Sequence, residues 1–600
     1  MRVGADTGGT FTDLVAGDGR VVKVLSTPAD PSKAVATGLA ELAGEPPAVL
    51  AHGTTVATNA LLERRGARVA LVTSAGLADV IEIGRQDRPS LYDVWADRPE
   101  PLVPRELRLE VDGRLDAAGR ELEPVDAARA PALPEGVEAV AVCLLHADLN
   151  PAHERAVAAA VRGGSGAGVD VVCSSEVSPE FREYERTVTT AVNAYLRPRC
   201  RAYLRAVAGL AGDVLVMTSA GGLIPAAEGA DLPVALLLSG PAGGVIAGAA
   251  AAAAAGFADS VTFDMGGTST DVCLVQGGVP EPAPGRVAAG FPIRLPALDI
   301  HTIGAGGGSI ARVDPGGALV VGPASAGADP GPACYGRGGT EATVTDADLV
   351  LGRIAGDAAF PGLGRLDRAA AAKALEAAGV TAEGVVTVVD AGMERAVRRV
   401  SVERGVDPAS LALVAFGGAG PLHACAIAAA LGMPAVVVPP RAGVLSAVGL
   451  LCGPRQRDLV RSWPTPDDHG SLHEALHALG REAAAAVGGG RAEVTTAVDC
   501  RYRGQSHELT VASVAAFEEE HRRRNGYTRP GAPVEVVAIR ARARIAPPLT
   551  PGELPMAAGP ARARRPAVGP AVLVEPDCTV WVPDGWSARV GPDGSWVITR

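Results

Sequence analysis

The octapeptide Asp6-Thr-Gly-Gly-Thr-Phe-Thr-Asp13 returns 258 positions later as Asp264-Met-Gly-Gly-Thr-Ser-Thr-Asp271, with Asp, Gly, Gly, Thr, Thr and Asp in register. Each copy follows a short apolar segment and runs into another, the pattern of a β-hairpin with a glycine-rich turn. Glycine is expected to give the turn a positive φ and to leave backbone N–H groups bare to an anion. Threonine hydroxyls add donors, and an Asp at the strand end suits a hydrated Mg²⁺ or Mn²⁺. Two copies predict a duplicated domain whose halves face each other across one nucleotide; the alternative is two unrelated tight turns. The pattern places Asp6 and Asp264 at the metal as catalytic groups. Gly8, Gly9, Thr10 and Thr12 of the first copy, and Gly266, Gly267, Thr268 and Ser269 of the second, are expected on phosphates. Asp13 and Asp271 fit either a catalytic role or a polar cap of their hairpins.

A chain of 600 residues exceeds one hydrophobic core, so two to four domains are expected. Apolar residues make up 48% and aromatics 3%, so the core must be built from Ala, Val and Leu. The net charge of −12, with Arg522-Arg523-Arg524 the one basic run, argues against nucleic acid as a partner. Nine scattered cysteines without a Cys-x-x-Cys pair read as buried thiols in a reducing compartment. The opening strand leaves no room for a signal peptide, and a cytoplasmic protein is expected. Leu232 to Ala258 carries no charge and is long enough to cross a bilayer. Ser239-Gly240-Pro241 and Gly243-Gly244 interrupt it, so it reads as a strand, a turn and a buried alanine-rich helix, not a membrane span.

Along the chain, strands and helices alternate through the first third. The polar, proline-rich stretch Arg85 to Pro104 reads as a long functional loop. A second half begins near Leu196-Arg197-Pro198, and from about Arg461 the pattern changes to a small separate region. The boundaries expected are 1–182, 183–462 and 463–600, the last a β-rich interface domain. His52-Gly-Thr-Thr-Val-Ala-Thr-Asn59 reads as a strand, a polar turn and a helix. His52, Thr54, Thr55 and Asn59 are either substrate contacts or a helix cap with a satisfied core histidine. Asp299 and His301, at i and i+2, share one face of a strand beside the densest glycine run, and polar positioning of a substrate is favoured over a metal site. Gly417-Gly418-Ala419-Gly420 ends a strand and opens a helix whose dipole favours an anion, so this loop is expected beside the nucleoside. His423 lies behind it as a structural residue.

The order phosphate loop, phosphate loop, adenosine loop resembles the actin-like ATPase superfamily. The strings at 6–13, 52–59, 238–244, 263–271, 299–309 and 415–423, with Arg501-Tyr-Arg-Gly-Gln505, together resemble the hydantoinase A / 5-oxoprolinase family over essentially the whole chain. One departure is Ser219-Ala220-Gly221-Gly222, where relatives often carry Asn at the second position. The resemblance implies an α/β fold of duplicated actin-like (ribonuclease H-like) lobes with nucleotide in the cleft, plus a small α+β C-terminal domain. It implies an ATP- and Mg²⁺-dependent subunit that opens a small cyclic amide such as a hydantoin or 5-oxoproline. A separate B-type subunit is the implied partner, in a hetero-oligomer. Some relatives are the ATP-using subunits of ketone carboxylases, and that alternative stays open. A chaperone-like ATPase would need a substrate-binding β-domain and an apolar linker, which the tail after Arg461 does not resemble. A small-molecule kinase is the nearer rival on fold alone.

Overall fold

The computed structural model describes residues 1–9, 11–27, 30–164, 168–355, 359–360, 364–555 and 564–600. Two large sheets organise it, and each holds one copy of the octapeptide. In the first, Arg2–Thr7 and Phe11–Ala16 form an antiparallel hairpin, extended by Val21–Leu25 on one side. On the other side Val49–Thr54 and then Asp213–Met217 run parallel to Arg2–Thr7. In the second, Ser260–Met265 and Thr270–Gln276 form the equivalent hairpin, with Ala412–Phe416 and Val436–Val438 parallel beside it. The register repeats too: Asp6 faces Asp13, and Asp264 faces Asp271. A smaller parallel sheet of Asp170–Cys173, Ala139–Cys143, Val69–Ser74 and Arg108–Val111 lies in the first half. Its central strands are buried throughout, as covered parallel strands are, hence their runs of Val, Ala and Leu.

The uncharged segment explains the spacing of the two large sheets. It forms the helix Gly240–Ala254, which crosses Leu445–Leu451 between them. The crossing is at backbone contact: a Cβ on Gly449 would meet the Gly243 carbonyl oxygen at 1.8 Å. On one side, a Cβ on Gly4 of the first hairpin would lie 2.2 Å from the Ala447 oxygen. On the other, one on Gly244 would lie 2.6 Å from the Phe416 ring. Alanine and glycine are therefore required as an inter-sheet layer. Among the described residues no helix is long and apolar enough to cross a membrane. The stretch expected as a strand before it is a 3-10 helix, Pro233–Leu236, whose leading proline has the φ of a helix start.

The sheets divide the chain differently from the expected boundaries. The helix Glu183–Ala208 runs straight through Pro198, because its buried face, including Asn193, Leu196 and Leu204, packs under the first half of the chain. Residues 213–225 still belong to the first sheet. The C-terminal region is not one unit. Arg455–Ser462, Val534–Ile545 and Glu493–Tyr502 extend the first sheet, with a core of their own around Trp463, Tyr502 and Phe517. Trp596–Thr599 and Ser587–Val590 extend the second, through pairing with Val436–Val438. Sequence spacing gives strands but not which sheet a late strand joins, since that is settled by tertiary pairing. All nine cysteines are buried and free.

Candidate active site

The turns of the two hairpins are built alike. Gly8 N–H bonds the Phe11 carbonyl at 3.0 Å, and Gly266 N–H bonds that of Ser269 at 3.0 Å. None of Gly8, Gly9, Gly266 and Gly267 has a positive φ, contrary to the expectation. The turns close without a left-handed residue at these glycines, so glycine serves here by being bare: among the described residues, a Cβ at Gly9 or Gly267 would meet nothing within 4 Å. Positive φ is used instead at Gly417 (φ 79°), where a Cβ would lie 2.5 Å from Asp264 Oδ1. Gly9, Gly267, Thr268 and Gly418 are exposed at the tips, while Gly8, Gly266, Ser269 and Gly417 are half-buried. Thr10 lies outside the described residues. Thr12 does not point to the tip: it is fully buried and its hydroxyl sits 3.1 Å from Ser26 Oγ. Its counterpart Thr270 is buried likewise and donates to the Ala305 carbonyl at 2.7 Å.

Two loops meet at the second hairpin. Gly307 and Gly308 donate to the carbonyls of Gly266 (3.0 Å) and Gly267 (2.6 Å), and Ala419 N–H bonds the Met265 carbonyl at 3.0 Å. A Cβ on Gly306 would strike the Gly266–Thr268 backbone at 2.8 Å. The glycine run after Ile303 therefore braces the turn, orienting its peptide planes from behind. Gly420 and Ala419 are buried where the helix Gly420–Leu431 starts.

The four aspartates converge. Burial holds the Asp264 carboxyl well above the usual range, and Asp271, Asp6 and Asp13 push it the same way. Two of those three belong to the other hairpin, so the two copies face each other closely enough for charge to act between them. Burial, then Asp13, raises Asp6 to about 7. Burial raises Asp271 to about 6 against a hydrogen bond from Thr302 Oγ1 at 2.5 Å. Burial also raises Asp13, outweighing the Lys23 ammonium 2.8 Å from its Oδ1. Lys23, one of three lysines in the chain, lowers Asp6, Asp13 and Asp264 alike. Nothing in the local sequence marked Lys23; the antiparallel register opposite Asp13 places it.

A metal–nucleotide fits this arrangement. Among the described residues no hydrogen-bond donor reaches the carboxylates of Asp6 or Asp264, and a desolvated acid without donors favours a cation. Gly53, paired with Asp6, and Gly417 each leave room for one of these carboxylates. Among the described residues no group of three or more His, Cys, Asp or Glu could hold a metal by itself. Phosphate and water oxygens would complete the shell of a Mg²⁺ held by Asp6 and Asp264, its common mode of binding.

The other expected residues divide. His52 is fully buried with Nδ1 3.0 Å from the Ala5 carbonyl and Nε2 2.7 Å from Tyr203 Oη. Nδ1 must donate to the carbonyl, so neutral Nε2 accepts from the phenol, and burial lowers the ring to about 4. It ties the sheet to the long helix with both ring nitrogens partnered, which fits the alternative of a satisfied core histidine. Thr54 is buried beside Thr7 and accepts from Val56 N–H at 3.2 Å. Thr55, half-buried, and Asn59, exposed, do stand at the helix Val56–Leu62, next to the end of the first hairpin's leading strand. Asp299 forms an ion pair with Arg404, and His301, lowered by burial and Arg399, shares that face of Ile300–Ile303. Alternation turns Thr302 toward Asp271 instead, so it is the opposite face of this strand that meets the second hairpin. His423 is fully buried between Asp390 (2.7 Å) and Asp348 (3.1 Å), joining three helices as a structural residue.

The hydantoinase/oxoprolinase family model matches residues 186–457, and the model of that family's N-terminal region matches residues 2–163. Caprolactamase subunit alpha of Pseudomonas jessenii is 35% identical, over 100% of this chain and 99% of its own. The crystal structure of the ATP-dependent caprolactamase from that organism is similar with a TM-score of 0.85 at 33% identity, covering 100% of both chains. The nucleotide-free structure of acetone carboxylase gives a TM-score of 0.75 at 25% identity, covering 100% of this chain and 99% of that one. 5-Oxoprolinase 1 of Arabidopsis thaliana is 35% identical over 75% of this chain and 41% of its own length. The chain belongs to the hydantoinase/oxoprolinase family.

Proposed function

We propose that this chain is the ATP-using subunit of an enzyme that activates the amide carbonyl of a small cyclic amide for ring opening, together with a B-type partner subunit. The observation that carries it is the convergence of four aspartates from two equivalent hairpins, with Asp264 acted on by Asp6 and Asp13 across the cleft. Likeness to the ATP-dependent caprolactamase and to a 5-oxoprolinase supports the substrate class. In this reading the two sheets are the lobes of an actin-like ATPase.

An amide carbonyl is a poor electrophile. Placing a phosphoryl group on its oxygen, at the expense of the bond to the nucleotide's leaving phosphate, makes an imidate phosphate that water can attack. A bound Mg²⁺ would neutralise phosphate charge. The chain's own part is positioning. Backbone N–H groups at Gly9 and at Gly267–Thr268 orient the phosphates, those of Gly8 and Gly266 closing the turns, and the brace of Gly306–Gly308 keeps the second turn rigid. Asp6 and Asp264 would hold the cation, and Lys23 keeps Asp13 and its neighbours ionisable. Cytoplasmic residence and a hetero-oligomeric state belong to the same proposal.

Likeness to acetone carboxylase supports a second reading, in which a ketone is the activated carbonyl. One experiment separates them: purify the chain with whatever subunit accompanies it and follow ATP consumption against lactams, hydantoins and ketones with bicarbonate. Consumption driven by ketone and bicarbonate but by no cyclic amide overturns the first reading in favour of the second.

A further inference from the structure

Buried ionised groups in this protein commonly have an ionic or hydrogen-bonding complement. Arg186 pairs with Asp148, Arg540 with Glu180 and Asp499, and Glu154 takes donors from Leu144, Ser174 and Ser175. Arg286 lacks one. It opens the short hairpin of Arg286–Ala288 and Phe291–Ile293. Its Nη2 bonds Ser219 Oγ, and among the described residues its buried Nε has no partner and no carboxylate pairs with it. Burial alone lowers it to about 9, the mark of a desolvated cation without a counter-ion.

Its setting is the strand-end edge of the first sheet, which also carries Asp6. Ser219 follows Asp213–Met217, which is separated from Arg2–Thr7 by the single strand Val49–Thr54. At about 5 Å per strand, Ser219 stands roughly 10 Å from the end of the Asp6 strand. Both lie at the carboxyl ends of parallel strands, where open α/β sheets bind ligands. Ser219 Oγ is 2.6 Å from the Leu237 carbonyl, and its proton is committed there or to Ala235, leaving lone pairs for the guanidinium. Beyond Leu237 the chain turns through Leu238, strained at φ 53° and anchored by its N–H on Thr58 Oγ1, then Ser239, whose buried Oγ has no partner. It then reaches Gly240, where a Cβ would lie 3.7 Å from Asp6 Oδ1. Among the described residues, two orphaned polar groups, Arg286 Nε and Ser239 Oγ, thus lie along one succession of contacts that runs from Ser219 through Leu237 and Gly240 to Asp6. The hairpin is held in place on its other side: Phe291 lies under Arg64 at 4.7 Å, and Gly290 packs against Pro99 of the long loop.

We propose that Arg286 recognises a carboxylate on the acceptor molecule, so that the enzyme selects cyclic amides bearing a carboxylate over those without one. The proposal rests on the cyclic-amide reading above and names the substrate subclass. A guanidinium with free donors in a buried site forms the strong, fork-shaped pair with a carboxylate, and an uncharged ring would leave the buried cation unpaired.

The test uses the chain with its copurified partner, Mg²⁺ and a non-hydrolysable ATP analogue. Calorimetry compares 2-pyrrolidone-5-carboxylate, 2-pyrrolidone and the open-chain glutarate, in wild type, Arg286→Gln and Arg286→Lys, with melting followed in parallel. Wild type is expected to bind the carboxylated ring about 100-fold more tightly than the bare one. Arg286→Gln should erase that preference, and Arg286→Lys should keep part of it, having charge without the fork. A wild type with no preference overturns the proposal, as does a preference that survives in a folded Arg286→Gln. If Arg286→Gln does not fold, full retention in Arg286→Lys overturns it. Weaker binding of the analogue with the ring preference intact assigns Arg286 to a phosphate, and also overturns it. The two readings fail separately. ATP consumption driven equally by both rings keeps the cyclic-amide function and removes Arg286's role. Glutarate binding that needs Arg286, with no ring driving consumption, keeps the carboxylate site and removes the cyclic amide.

Discussion

Asp264 is kept from ionising in part by Asp6, a residue 258 positions away on the other sheet. Each sits opposite an aspartate seven positions on, Asp13 or Asp271, so an identical local pairing is brought face to face. Four carboxyls around one cleft repel one another until a cation arrives, and the predictions below follow from that.

Binding of Mg²⁺ with a nucleotide should tighten as pH rises from 6 to 8 and release protons near pH 7. Asp6 is raised to about 7 and Asp271 to about 6, so both are partly protonated at pH 6, and a cation prefers the ionised forms. Without ligand the sign reverses. A folded carboxyl raised above its unfolded value binds its proton more tightly in the native state, so stability is lost as pH climbs from about 4 to 7. Calorimetry in two buffers of different ionisation enthalpy measures the protons, and Asp6→Asn should reduce the number released. A pH-independent affinity with no proton release would remove the metal role of Asp6.

Asp264→Asn should lower ATP turnover of the two-subunit complex by at least about 100-fold at saturating Mg²⁺, with a smaller effect on nucleotide affinity. Turnover near wild type would show that the Asp264 carboxylate does not meet the metal.

Thr302→Val should weaken Mg²⁺-nucleotide binding several-fold, because Asp271 loses the hydroxyl that favours its ionised form. His301→Ala should leave that affinity unchanged. Sequence supplied the strand and its glycine-rich neighbour, since both are local patterns. It could not supply the face, because which of two alternating positions meets Asp271 depends on the pairing of Ile300–Ile303 with Thr270–Gln276. The same limit hid Lys23, set by register, and Arg286, whose neighbours come from a turn 67 positions earlier. The hairpins were legible because six residues fix each one within eight positions. A fluorescent nucleotide titration of the two variants decides the point, and a larger loss from His301→Ala would assign the site to the face of Asp299 and His301.

Gly417→Ala should destabilise the fold by about 1–3 kcal/mol, since φ is 79° there and the new Cβ would lie 2.5 Å from both Asp264 Oδ1 and the Met265 carbonyl oxygen. Gly418→Ala, one residue on, has open space and no left-handed φ, and should melt like wild type. Equal melting of the two would mean that the loop is not seated on the second hairpin.

The sharpest test of the paired hairpins uses the glycines at their tips. Among the described residues a Cβ at Gly9 or Gly267 meets nothing within 4 Å, and neither residue has a left-handed φ, so both alanine variants should melt like wild type without nucleotide. That freedom makes them clean probes: any loss must come from what approaches the tip from outside. If phosphates lie against both turns, each methyl group blocks close approach to bare N–H groups, and each variant should weaken ATP binding by about tenfold. The two losses should be similar, because both turns carry the same N–H-to-carbonyl closure at 3.0 Å. Equilibrium binding to the folded variants, with melting as the control, supplies the numbers. Loss from Gly9→Ala alone, with Gly267→Ala indistinguishable from wild type, would make the second octapeptide an ordinary hairpin and remove the two-sided nucleotide site.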